Sequence, residues 1–204
     1  MKVLVVYYSR YGHVLALAQA AAKGVQSVPG AELVLRRVKE FDDIQAQTAG
    51  DKYAQAAWER QKDIPECSLA DLEQADAILW GTPTRYGNMC AQMKRLIDST
   101  PGLWLKGAFE GKPAGVFTST ATAHGGQETT LLTMMVPLLH MGMIVVGVPY
   151  STPGLLHVER RGGTPYGPST LAGPRGELQP TPEDLAIAEA LGRRVAETAR
   201  KLRG

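Results

Sequence analysis

The hydropathy pattern opens with Lys2 to Tyr8, an almost unbroken apolar, β-favouring run of the kind found in a central parallel strand covered on both faces. The period then changes. Past Ser9 and Gly12, apolar residues recur at helical spacing through Val14, Leu15, Leu17, Ala18, Ala21, Ala22 and Val25, which predicts a helix from about Gly12 to Ser27, ended by Pro29-Gly30. Ala31 to Val38 alternates between apolar and polar, the pattern of a half-exposed edge strand. Ala75 to Gly81 reads as a second buried strand, and a helix with Met89, Met93, Leu96 and Ile97 on one face follows it. Ala114 to Thr118 is a third buried strand, then comes a helix to about Leu139, and Met143 to Val148 is the last strand. The final helix is well marked: Thr181 at the N-cap, Pro182 at N1, Glu183 and Asp184 in the first turn, and a stripe of Leu185, Ala188, Leu191, Val195, Ala199 and Leu202.

Two stretches resist this reading. In the excursion at 42–70, Asp51 to Lys62 is either a helix carrying Tyr53 and Trp58 or irregular chain. Residues 149–180 are dense in Gly and Pro and show no period; so long a structureless stretch is usually functional or interfacial. The alternation of strand and helix predicts one α/β domain over residues 1–204. Five strands fit the flavodoxin-like parallel order 2-1-3-4-5, a three-layer sandwich that binds ligands beyond the carboxyl ends of its strands. Three loops rich in Gly, Ser and Thr follow strands that would be neighbours in that order.

Composition narrows the classes without changing the fold. The 204 residues carry 22 Lys and Arg against 20 Asp and Glu, a net charge of +2. That balance argues against both a nucleic-acid footprint and an acidic docking surface. Cys67 and Cys90 lack metal-like spacing and read as free thiols of a reducing compartment. The apolar start is too short for a signal peptide, and Met134 to Tyr150 is interrupted by Pro137, His140 and Gly142, so no membrane span is expected. A soluble, cytoplasmic protein is the expectation.

The chemistry lies in the loops. A strand that feeds through Ser9 and Gly12 into a helix N-terminus leaves amide N–H groups unpaired at the positive end of a helix dipole, which is an anion site. No Gly-x-Gly-x-x-Gly follows the first strand, and no P-loop Gly-Lys-Ser/Thr occurs. One phosphate on the first loop, with a flat ring across the loops at 84–88 and 119–125, fits better and points to flavin mononucleotide (FMN).

Several stretches together are more specific: Ser9-Arg10-Tyr11-Gly12-His13, Gly81-Thr82-Pro83-Thr84-Arg85-Tyr86-Gly87-Asn88-Met89, Gly102-Leu103-Trp104, His124-Gly125-Gly126-Gln127-Glu128 and Arg161-Gly162-Gly163-Thr164-Pro165-Tyr166-Gly167. In these the chain resembles the WrbA family of flavodoxin-like NAD(P)H:quinone oxidoreductases, over nearly its whole length except about 42–70. The resemblance implies that Ser9, Arg10, Tyr11, Gly12, His13 and Val14 hold the phosphate and ribityl end of FMN. It places the ring against Thr84, Arg85 and Tyr86, in a loop completed by Gly87 and Asn88. The other flank is Ser119, Thr120, Ala121, Thr122, Ala123, His124 and Gly125. His140 matches a flavin-reaching histidine and is the candidate to steady or protonate the reduced quinone oxygen. Tyr11 matches a nicotinamide contact and Trp104 an aromatic at the substrate mouth. The family resemblance further implies two-electron transfer from NADH or NADPH to a quinone, ping-pong turnover at one flavin face, a homotetramer in which neighbouring subunits enclose each site, and no metal. His124, in a loop one residue longer than usual, and Met141 after His140 depart from the family pattern. The rival readings are a one-electron flavodoxin-type carrier and a non-catalytic regulatory binding protein.

Overall fold

The computed structural model describes residues 1–47, 49–156 and 162–204. Its centre is strand β1 (Lys2–Tyr7), paired in parallel with β2 (Glu32–Arg37) on one side and β3 (Ala77–Pro83) on the other. Strand β4 (Pro113–Thr120) lies beyond β3, and the sheet runs in the order β2-β1-β3-β4-β5, with β5 at Ile144–Val145. Alternation along β1 sorts its side chains into two cores. Val3, Val5 and Tyr7 meet the helices α1 (His13–Gln26) and α8 (Pro182–Arg203) on one face. On the other, Leu4 and Val6 pack with Trp80, Met93, Leu131 and Met134 below α5 (Ala91–Asp98) and α7 (Gln127–His140). Both faces are covered, so the strand needs no polar positions, and residues 3–7 are fully buried. Trp80 lies in the core as its sequence position suggests, at zero exposure.

The fifth strand departs from its predicted form. The Met143–Val148 pattern predicts one continuous strand, but only Ile144–Val145 pairs with the start of β4. The upper part of the same edge is filled by β6 (Ser169–Leu171), which pairs in parallel with Thr118–Thr120. Between the two halves the chain leaves the sheet and returns. A Thr164–Gly167 bridge closes the return turn, and Pro168 accepts the Thr118 N–H at 3.0 Å. The glycines of this stretch are required by close approach: a Cβ on Gly162 would collide with the Ser169 carbonyl, and one on Gly167 with the Val116 carbonyl. The patternless 149–180 segment thus supplies half of an edge strand, too short at three residues to show a period. Arg161, first residue of the Arg-Gly-Gly-Thr-Pro-Tyr-Gly stretch, lies outside the described residues.

The excursion at 42–70 is mostly helical among its described residues: α2 (Asp42–Gln47), α3 (Lys52–Glu59) and the start of α4 (Leu69–Gln74). Asp51 caps α3 by accepting from the Tyr53 and Ala54 N–H groups. Trp58 lies under the Arg37 guanidinium, 4.9 Å from ring centroid to Cζ. A short helix α6 (Pro101–Leu105) follows α5. Both cysteines are free thiols; burial pushes Cys67 up to about 12 and raises Cys90 as well, so neither is poised as a nucleophile. Among the described residues no helix is long and apolar enough to cross a membrane.

Candidate active site

The carboxyl ends of β1, β3 and β4 open into one cavity of about 150 Å³, lined by Ser9, Arg10, Tyr11, His13, Val14, Pro83, Thr84, Arg85, Ser119, Thr120 and Ala121. Three loops far apart in the chain meet there because their strands are neighbours. In the first loop, Ser9 Oγ accepts from the Gly12 N–H at 3.1 Å, and Gly12 holds φ +90° as the N-cap of α1. No side chain caps this helix, and its first residues, His13 and Val14, line the cavity. Arg10 Nε is buried without a hydrogen-bond partner, and its guanidinium lies 5.7 Å from the Tyr11 ring centroid. A buried cationic donor with no acceptor beside an open helix N-terminus is a site built for an anion.

The second loop is a tight turn. Arg85 and Asn88 exchange backbone hydrogen bonds at 2.7 and 3.1 Å around Tyr86 and Gly87, whose φ angles are +55° and +77°. Thr84 Oγ1 accepts from the Thr130 hydroxyl at 2.8 Å and from the Gly87 N–H at 3.2 Å, which ties the turn to α7. Tyr86 projects its whole side chain into solvent, an unusual position for an aromatic in a left-handed backbone conformation. In the third loop, Thr120 donates to the Thr122 carbonyl at 2.8 Å and Gly125 closes back on Thr122 at 3.0 Å.

The cavity has a fourth wall that the sequence reading missed: Ala172, Gly173, Pro174 and Gly176, just after β6. Ala172 N–H donates to the Thr120 carbonyl at 2.8 Å, so the wall is an extension of the β4–β6 ladder. Gly176 sits against Tyr11 and His13, where a Cβ would make ordinary contacts at 3.5–3.6 Å, and its φ of +74° is the left-handed conformation that favours glycine. The available signal was the Gly-Pro-Arg-Gly run itself, but nothing in it says which strand it follows. His13 is almost wholly buried, and its Nε2 donates to the Leu178 carbonyl at 2.6 Å, strapping this wall to α1. Burial lowers the His13 pKa, and the nearby Arg60 charge adds to the effect against the opposing pull of Leu178 and Glu177. Burial thus favours the neutral ring, and with a carbonyl as its partner Nε2 carries the proton.

Other sequence-predicted residues fall elsewhere. Tyr86 and Asn88 border a wider recess of about 570 Å³ that shares Arg10 and Arg85 with the first cavity. Gly12, Gly87 and the tip Thr122, Ala123, His124 and Gly125 shape the loops without lining the cavity. His140 and Trp104 line neither; they share a separate groove of about 540 Å³ between α5, α6 and α7. There Trp104 Nε1 donates to the His140 carbonyl at 3.2 Å, and Trp104 remains half exposed. No metal-holding cluster of His, Cys, Asp and Glu occurs among the described residues.

The sheet order and the ligand cavity beyond its carboxyl edge define a flavodoxin-like protein. Solved structures agree on the fold. A WrbA-like flavodoxin from Agrobacterium tumefaciens superposes with a TM-score of 0.64 at 24% identity, covering 98% of each chain. A flavodoxin from the Archaea gives 0.62 at 22% identity over 98% of this chain and 99% of that one. Residues 1–153 match the family model of the NADPH-dependent FMN reductases, and the chain belongs to that family. It is 50% identical to an NAD(P)H dehydrogenase (quinone) of Solidesulfovibrio magneticus over the full length of both chains, and 52% identical to one of Geobacter sulfurreducens, again over all of both.

Proposed function

We propose that this protein is an FMN-dependent NAD(P)H:quinone oxidoreductase that moves two electrons per turnover by a ping-pong mechanism. The observation that carries the reading is the single cavity where three predicted loops converge on an open helix N-terminus beside the unpartnered Arg10 Nε. Bound FMN supplies the hydride acceptor and the two-electron donor; the protein supplies binding, orientation and electrostatics. Ser9 to Val14 hold the phosphate through backbone N–H groups, the Ser9 hydroxyl and Arg10. The loop has room for one phosphate and no glycine fingerprint for a pyrophosphate, so the cofactor is FMN rather than FAD. Thr84 and Arg85 would hold the ring on one side, in the turn that Tyr86, Gly87 and Asn88 complete, and Ser119, Thr120 and Ala121 on the other, in the loop that Thr122, Ala123, His124 and Gly125 shape. Tyr11, at the cavity rim, is the nicotinamide contact.

His140 and Trp104 take part from a neighbouring subunit of a homotetramer. Within one chain they lie on a different groove, and around it α7 exposes Leu132, Val136 and Leu139 while α6 exposes Leu105. An apolar stripe of that kind on a soluble chain marks an interface. In the assembly Trp104 walls the substrate mouth and the His140 ring donates to, or protonates, the reduced quinone oxygen.

Nicotinamide and quinone are both flat, and each must lie against the same open ring face, so they bind in turn. Varying benzoquinone at several fixed NADH levels is expected to give parallel double-reciprocal lines. Intersecting lines would rule out the shared face, and absence of NADH oxidation by FMN-loaded protein would rule out the enzyme.

A further inference from the structure

The excursion at 42–70 matches the family resemblance poorly, yet it packs on the loop that receives the phosphate. Three residues of it make specific contacts there. Gln61, almost fully buried, donates from Nε2 to the Ser9 carbonyl at 2.8 Å. Asp51, the cap of α3, lies beside the Tyr11 hydroxyl and within reach of the Arg10 charge. Arg60, the residue that ends α3, lies directly over Gly12: a Cβ there would clash with Arg60 Nη2 and lie 3.1 Å from its Cζ. The absence of a side chain at Gly12 is what admits the guanidinium.

That position is electrostatically expensive in an empty site. Gly12 is the N-cap of α1, the positive end of the helix dipole, where anions are favoured and cations are not. Arg10 already stands in the same loop with an unpaired buried Nε. Glu59, the acidic residue next to Arg60 in the chain, pairs with Lys62 at 2.6 Å. Asp51 accepts from its capping N–H groups on Tyr53 and Ala54. The Arg60 guanidinium at Gly12 thus adds a second positive charge to a loop that already carries Arg10, at a helix N-terminus that favours an anion.

We propose that Arg60 is a phosphate-binding residue, reaching from α3 across Gly12 to the phosphomonoester dianion of FMN, and that Gln61 positions the loop for it. The inference rests on the FMN reading and deepens it. It makes α3 part of the cofactor site and assigns the excursion a role: closing the phosphate end that the loop alone leaves open. Arg60 discriminates the phosphorylated flavin from the phosphate-free one, because its guanidinium has nothing to meet when the phosphate is missing.

The test compares FMN with riboflavin, which shares the ring and ribityl chain but lacks the phosphate. Apo-protein is titrated with each, following quenching of flavin fluorescence, for wild type, Arg60→Ala, Arg60→Lys and Gln61→Ala, with circular dichroism to verify folding. Arg60→Ala is expected to weaken FMN roughly tenfold while leaving riboflavin within about twofold. Arg60→Lys should recover part of the loss, since it keeps the charge but not the planar fork. The FMN affinity of Arg60→Ala should also fall less steeply with salt than that of wild type. Gln61→Ala, which loosens the loop itself, should weaken both flavins. Equal loss of both flavins in Arg60→Ala, or unchanged FMN affinity, would overturn the assignment of Arg60 while leaving the FMN reading intact. Failure of the wild type to bind FMN would overturn both.

Discussion

At the scale of single residues, two positions show conformation and chemistry in tension. Tyr86 occupies a left-handed turn position that an L-residue adopts at a cost of about 1 kcal/mol, while its ring gains no burial. Asparagine tolerates that backbone better. Tyr86→Asn is therefore expected to leave the cofactor-free protein as stable or more stable in a thermal melt, and to weaken FMN and substrate binding measured by titration. His13 gives a pH signature. Its folded pKa lies below the ordinary value of 6.5 because burial penalises the charged ring. The unfolded chain then takes the proton first, so this contribution to stability is complete above pH 6.5 and is lost as pH falls from there through the folded value. The midpoint of thermal unfolding should drop between pH 7 and pH 5 more steeply in wild type than in His13→Gln, whose amide still donates to the Leu178 carbonyl.

At the scale of elements, α1 and α8 pack backbone to backbone. A Cβ on Gly24 would strike the Glu189 carbonyl, and one on Gly192 the Ala21 carbonyl, so each helix presents a glycine to the other. Backbone cannot move aside as a flexible side chain can. Gly192→Ala should cost about 2 kcal/mol, lowering the melting temperature by roughly 4–8 °C for a domain of this size. The control is Gly102→Ala on α6, where the new methyl meets nothing within 4 Å; its midpoint should stay within about 1–2 °C of wild type. The N-terminus of α8 is held by a full capping box between Thr181 and Asp184, and Asp184 also accepts from the Thr170 hydroxyl at 2.8 Å. That bond couples the last helix to β6 and so to the fourth wall of the cavity.

At the scale of the whole molecule, the apolar stripe on α7 and the groove of His140 and Trp104 bear on assembly. Light scattering of the FMN-loaded protein at micromolar concentration is expected to give the mass of a tetramer; a stable monomer would contradict a site completed by its neighbours. Trp104→Ala should then weaken quinone use about fivefold, from the loss of stacking on the order of 1 kcal/mol, with little change in FMN affinity. Equal loss of FMN would place Trp104 in the cofactor pocket of its own chain instead.

The sequence by itself determined the first four strands, their apolar content and the turn chemistry at Ser9, Gly12, Thr84 and Gly87, because burial on two faces and positive φ angles each demand particular residue types locally. It determined the parallel order as well, since strand–helix alternation leaves few arrangements. The tertiary structure alone decided three things. It divided the fifth strand between Ile144–Val145 and Ser169–Leu171, because ladder pairing with β4 sets a strand's length and hydropathy does not. It placed Ala172 to Gly176 on the cavity, through the register of β6. And it brought Arg60 and Gln61 onto the loop at residues 9–12, a juxtaposition of segments some fifty residues apart that no local pattern encodes, because side-chain reach across elements depends on how the helices pack.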